Sequence, residues 1–202
     1  VGYVSKTLTG ADGKSVDSPA HKAGLLPGDK ILSVDGSKVS DFMQIIEKIA
    51  IGSGRTANGS PKAVLEIQRG ADIFPVEVFP ELIKTNPSSG DEIRMIGISP
   101  AMTMKIGTLM EGSPAKAGGA KPGDIVVSIN GQKLYSNMQL SDILAKVEEG
   151  ETVELGVIRN GTPTSLKIAP AKIALTKSLC KVKLPEGAGF LSFISVSPKN
   201  PS

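Results

Sequence analysis

The chain writes one pattern of turn and cap residues twice. SPAHKAGLLPGDKILSVDG (residues 18–36) and SPAKAGGAKPGDIVVSING (residues 113–131) have equal length and start 95 residues apart. They are identical at Ser18/Ser113, Pro19/Pro114, Ala20/Ala115, Gly24/Gly119, Pro27/Pro122, Gly28/Gly123, Asp29/Asp124, Ser33/Ser128 and Gly36/Gly131. A repeat of this length is too long for a solenoid unit and suits a small domain. A chain of 202 residues then reads as two domains of about 100 residues each.

Each copy decodes in the same order. Ser18 and Ser113 are N-caps, with Pro19 and Pro114 at the first helical position, where no N–H is missed. Gly24 and Gly118 or Gly119 end a helix of little more than one turn. Pro27-Gly28 and Pro122-Gly123 are turns. Short β-branched strands, 30–34 and 125–129, close at Asp35-Gly36 and Asn130-Gly131. Asp41 and Ser136 then cap longer helices, with Gln44 and Gln139 three places on in capping-box spacing. Phe42, Ile45, Ile46 and Ile49 share one helix face, as do Leu140, Ile143, Leu144 and Val147. A hairpin follows in each copy, turning at Gly70 and at Asn160-Gly161, a type I′ pair. Matching Arg69 to Arg159 changes the offset to 90, so copy one carries five extra residues in AIGSGRTANGSPK. The fold expected is mainly β with short helices: two sandwich or barrel domains, each with two capping helices.

Composition excludes several functions. With 23 basic and 20 acidic residues the net charge is +3, too small to indicate nucleic acid as a partner. One histidine, His21, and one cysteine, Cys180, cannot build a His/Cys metal site or a Cys-His nucleophile pair. No secretory signal opens the chain, which starts mid-pattern as though cut from something longer. No uncharged stretch near its end is long enough to span a bilayer. From Ala171 onward five lysines face one glutamate. This basic tail is either a solvated segment or one attracted to a charged partner such as a lipid surface.

The order of elements around SPAxxAGLxxGDxIxxxxG resembles the PDZ domain, over roughly residues 1–173. The resemblance implies two PDZ-like domains, 1–83 and 93–173, with KTNPSSGDE (84–92) as linker and 174–202 as a basic tail with a possible extra strand. It also implies that an extended or C-terminal peptide segment of a protein adds as a strand beside the longer helix, its carboxylate held on backbone N–H groups of a Gly-containing loop. RMIGISP (94–100) is expected to be that loop in copy two, giving Met95, Ile96, Gly97 and Ile98 as peptide-binding residues. The groove-facing helix positions are then Asn137 and Ser141 in copy two, and Phe42 and Ile46 in copy one. Copy one, opening at VGYVSK, is expected to lack its own loop strand. GFLSFISVSP (189–198) is the spare strand that could supply it; the competing account is that the segment folds against copy two, or is disordered and orders only near the bilayer. Copy two is accordingly expected to be the better-formed site.

The tandem arrangement resembles, more finely, the extracytoplasmic PDZ pair of bacterial site-2 intramembrane zinc metalloproteases. That resemblance implies a non-catalytic region that screens substrates, and the membrane-embedded remainder of the parent protease as partner. It places the chain on the extracytoplasmic (periplasmic) face of the membrane. H-E-x-x-H is absent from this chain, so no cofactor is expected in it, and the zinc belongs to the parent's catalytic part. The alternatives are the PDZ pair of a periplasmic trypsin-like serine protease and a stand-alone PDZ adaptor.

Overall fold

The computed structural model describes residues 1–169 except Pro87, Ser89 and Glu149, together with the strand Ile194–Val196. It divides into two units, Val1–Ala101 and Met102–Ser202. Unit 1 contains β1 (Tyr3–Val4), β2 (Thr7–Thr9), β3 (Ser15–Asp17), α1 (Pro19–Lys22), β4 (Lys30–Val34), β5 (Ser37–Lys38) and α2 (Phe42–Ile51). It continues with β6 (Ala63–Arg69), β7 (Asp72–Val78), β8 (Glu81–Lys84), β9 (Glu92–Met95) and β10 (Ile98–Ser99). Unit 2 contains β11 (Met104–Leu109), α3 (Pro114–Ala117), β12 (Ile125–Ile129), β13 (Gln132–Lys133), α4 (Asn137–Leu144), β14 (Val153–Arg159), β15 (Thr162–Ile168) and β16 (Ile194–Val196).

The local signals act as expected. Ser18 and Ser113 cap α1 and α3, each with Pro at the helix start. Asp35, Asn130 and Asn160 adopt positive φ in front of glycines that do the same, the type I′ geometry that the twist of paired strands prefers. The principal sheet of unit 1 runs β5-β4-β6-β7, and that of unit 2 runs β15-β14-β12-β11-β16 with β13 beside β12. These sheets are open, so the fold is mainly β with short helices and the barrel alternative drops out. Each unit has its own aliphatic core. Val34, Ile49, Leu65, Ile67, Val78 and Ile96 are buried in unit 1. Met104, Ile106, Ile129, Leu140, Leu155 and Val157 are buried in unit 2.

The domain boundaries differ from the sequence expectation. The 84–92 stretch does not separate the domains but joins two paired strands of unit 1, β8 pairing with β9 from Glu81↔Met95 to Lys84↔Glu92. Unit 1 therefore extends to Ala101 and includes its own loop strand: β10 pairs with β1 through Tyr3↔Ser99 and Val4↔Ile98. Burial gives the reason, since Ile96 is 2% exposed inside the unit 1 core. The tail strand follows the same plan rather than serving copy one: β16 pairs with β11 through Ile106↔Val196 and Leu109↔Ile194. Val4 and Leu109 correspond in the repeat, so Ile98 and Ile194, their partners, are equivalent positions. Each unit thus closes with the strand that lies beside its first. Apart from β16, the 174–202 segment with Cys180 and its lysines lies outside the described residues.

Candidate peptide-binding grooves

Unit 1 holds its loop from two sides. The Ile96 carbonyl accepts from the Ser18 hydroxyl at 2.9 Å and from the Ala20 N–H at 2.8 Å, which ties the loop to the start of α1. On the other side Arg94, 6% exposed, donates through Nη2 to the Gly54 carbonyl at 3.2 Å, just past the C-terminus of α2. Its Nη1 is buried without a hydrogen-bond partner. A guanidinium at this end of a helix is favourably placed against the helix dipole. Gly97 between these anchors has φ +84°, and a Cβ there would lie 2.3 Å from Ser18 Oγ. The glycine is required by backbone conformation and by close packing on Ser18.

The strand after the loop has one edge free among the described residues. Ser5 N–H donates to the Gly97 carbonyl at 2.9 Å and Gly2 N–H to the Ser99 carbonyl at 2.8 Å. Successive residues of a strand alternate their bonding direction. The N–H and C=O of Ile98 therefore face away from β1, where no strand pairs with them. The helix α2 packs against β9, the strand leading into the loop. On α2, Ile45 and Ile49 enter the core while Met43, Glu47 and Ile51 are exposed. Phe42 and Ile46, one turn apart, lie half-buried between those faces, and Phe42 and Ile98 pack on the same core. An apolar helix flank and a free strand edge are the two parts that strand addition needs.

The expected site residues therefore sort differently. Met95, Ile96, Gly97 and Ile98 stand in unit 1 with Phe42 and Ile46, and not with Asn137 and Ser141 as the sequence suggested. Those two sit half-buried on α4 of unit 2. The segment just before β16, where the corresponding loop would stand, lies outside the described residues. Arg94 escaped the sequence reading, although a single charge inside the apolar run IRMIGI was its signal.

Both units carry the same ionic clamp. Asp29 accepts from Arg69 Nε and Nη2, both at 2.7 Å, and from the Leu26 N–H at 2.8 Å. Asp124 accepts from Arg159 Nε at 2.8 Å, from its Nη2 at 2.7 Å and from the Lys121 N–H at 2.8 Å. Each arginine also donates to a helix-ending carbonyl, Gly24 or Gly119, at 2.8 Å. Burial pushes the Asp29 carboxyl up, but the bonds from Arg69 and Leu26 outweigh it and hold the group below its ordinary value. The Arg159 bonds do the same for Asp124 against its own burial. The clamp joins the Pro-Gly-Asp turn to the hairpin and so fixes the frame on which the helices rest. Among the described residues no group of three His, Cys, Asp or Glu could hold a metal ion. No helix there is long and apolar enough to cross a membrane.

A family model described as PDZ domain matches residues 14–58 and 105–159, one segment in each unit. The chain carries two PDZ domains. A probable periplasmic serine endoprotease, DegP-like, from Hahella chejuensis is 26% identical over 166 residues, covering 72% of this chain and 34% of that protein. The periplasmic pH-dependent serine endoprotease DegQ of Escherichia coli is 31% identical over 86 residues, 43% of this chain and 19% of its own length. A putative zinc metalloprotease of Helicobacter pylori is 34% identical over 92 residues, 43% of this chain and 24% of its own. The chain thus spans about a third or less of the length of these relatives.

Proposed function

We propose that the PDZ pair is the non-catalytic peptide-recognition part of a larger extracytoplasmic protease, screening protein segments offered to a catalytic domain outside this chain. The observation that carries the reading is the free Ile98 edge between the Gly97 loop and the Phe42/Ile46 flank. The ligand is an extended or C-terminal segment with an apolar side chain for Phe42 and Ile46. The relative matched over 166 residues favours a periplasmic serine endoprotease as parent. A second reading, a membrane-embedded site-2 zinc metalloprotease, draws on the Helicobacter pylori relative and on the topology. First and last strands pair in each unit, so each unit brings its ends together, as an insertion between two membrane helices requires.

Fluorescence anisotropy on the full chain tests the recognition. A labelled peptide ending in a free-carboxyl valine should bind, and its C-terminal amide should bind at least tenfold more weakly. Equal binding of the two would remove carboxylate capture from the reading. Reading the parent gene on both sides separates the two parents: a trypsin-like domain supports the first, and H-E-x-x-H in an apolar span supports the second.

A further inference from the structure

Unit 1 carries a second concavity that uses none of the groove residues. One depression of about 440 Å³ lies between Pro19, Lys22 and Ala23 on the α1 side and Glu77, Phe79 and Glu81 on the strand side. A second, of about 420 Å³, lies between the 56–61 loop and Phe79, Pro80 and Glu81. Phe79 and Glu81 line both, so the two depressions meet there.

The internal repeat shows that the fold does not demand these features. At the hairpin offset of 90, Phe79 corresponds to Ala169 and Glu81 to Ala171, while Pro80 is matched by Pro170. The five-residue insertion of copy one falls in the stretch that supplies the 56–61 wall. That wall is built: Thr56 and Gly59 N–H groups donate to the Ser60 and Thr56 carbonyls at 2.9 Å, and Arg55 bridges Pro61. Phe79 remains 50% exposed beside it. Three departures from the common plan, an aromatic, a carboxylate and an insertion, therefore converge on one place. The charges there decide the ligand. Lys22 faces Asp17 at 3.6 Å and Glu77 faces Lys62 at 2.5 Å, whereas Glu81 makes no ion pair among the described residues. One uncompensated carboxylate next to an exposed ring suits a cation on an aliphatic stem.

We propose that this surface is a second docking site for an extended basic segment of a protein, with an apolar or aliphatic stem laid on Phe79 and a Lys or Arg head at Glu81. It needs no free carboxylate and stands independently of the groove. The test is anisotropy of the full chain with fluorescein-Ser-Gly-Leu-Lys-Leu-Lys-Ser-Gly-amide, at low and high salt. Phe79→Ala and Glu81→Ala install the residue types of the second repeat, and a thermal melt verifies that both stay folded. Saturable binding is expected, weakened about fivefold or more by each variant, with Glu81→Ala also flattening the salt dependence. Phe42→Asn and an excess of the free-carboxyl valine peptide should leave it unchanged. The proposal is overturned by absent saturation, by indifference to both variants, by displacement with the carboxyl peptide, or by equal binding of the probe with Glu in place of Lys. Failure of the groove reading would show only in the carboxyl peptide, so the two outcomes are distinguishable.

Discussion

The two units share a frame and differ in what they hang on it. Both have the capped short helix, the Pro-Gly-Asp turn, the Asp–Arg clamp and a closing strand beside the first. Unit 1 lines its long helix with Phe42 and Ile46 and places Gly97 just before its closing strand. Unit 2 has Asn137 and Ser141 on the helix and Phe193 just before the strand. The shared parts therefore set the fold, and the parts that vary set what it recognises. On the proposed reading unit 1 is then the carboxylate site, where the sequence expectation had placed it in copy two.

The largest effect should come from breaking the shared frame. Arg159→Met leaves Asp124, whose side chain is 1% exposed, buried without its counter-charge. Removing one partner of a buried pair is strongly destabilising, and less so here because the arginine reaches solvent. Unit 2 should lose hydrogen-exchange protection while unit 1 keeps its own. Arg69→Met should cost unit 1 about as much, plus about 0.5 kcal/mol for the Phe74 ring under its guanidinium. The corresponding residue in unit 2 is Thr164. Equal protection loss in both units after either substitution would contradict independent frames. The pH dependence follows from the same carboxylates, both held below the ordinary 3.8. A depressed folded value gives stability that is full above the unfolded value and lost as pH falls through the folded one. The clamps should therefore hold above about pH 4, and acid unfolding that begins near neutrality would rule them out as its cause.

Next in size is the glycine at the loop. Gly97→Ala forces an L-residue to φ +84° and drives its Cβ into Ser18. The left-handed conformation costs about 1–2 kcal/mol, and the overlap adds about 1 kcal/mol or more. Gly36→Ala is the control, since its φ is +76° with nothing within 4 Å. Denaturant midpoints should separate the two by the overlap alone. If they coincide, Ser18 yields freely and the loop is looser than its hydrogen bonds imply.

Those contrasts mark where sequence was legible. Caps, turns and hairpins are local events, and Ser18, Asp41, Asp35-Gly36 and Asn160-Gly161 announced them. Ownership of the 94–100 strand was not local. Tyr3 and Ser99 pair across almost the whole unit, and a two-residue strand carries no periodicity to show its partner. Arg94 and the clamps lay in residue types already visible, but their partners are distant in sequence: Gly54 for Arg94, Asp29 for Arg69.

Exchanging the helix flanks sharpens the comparison at the level of recognition. Phe42→Asn with Ile46→Ser gives unit 1 the flank of unit 2. Affinity for an apolar C-terminal peptide should fall about tenfold, or about 1.4 kcal/mol, and a thermal melt of the variant measures separately the packing lost where Phe42 rests on the core. Unchanged affinity would separate the flank from the groove.

The smallest effects should come from the helix caps, where the units use one motif at two depths. Asp41 Oδ1 accepts from Gln44 N–H at 2.9 Å, and Ser136 Oγ from Gln139 N–H at 3.2 Å. Each glutamine then reaches back one residue beyond the cap, accepting from Ser40 N–H at 3.1 Å or Tyr135 N–H at 3.0 Å. Gln139 alone adds a bond, donating to the Lys133 carbonyl at 3.3 Å. Ser136 is 1% exposed and Gln139 8%, whereas Asp41 is open to water. Water can replace a lost oxygen at Asp41 but not at Ser136. Asp41→Ala should therefore cost about 0.5 kcal/mol and Ser136→Ala about 1 kcal/mol, the low end and the typical value for caps. Gln44→Ala and Gln139→Ala should rank the same way, since a buried N–H left unpaired costs more than an exposed one. Denaturant midpoints resolved by unit measure all four. Equal costs in the two units would mean that cap strength here is set by local geometry, and that the depth of the second helix start contributes nothing.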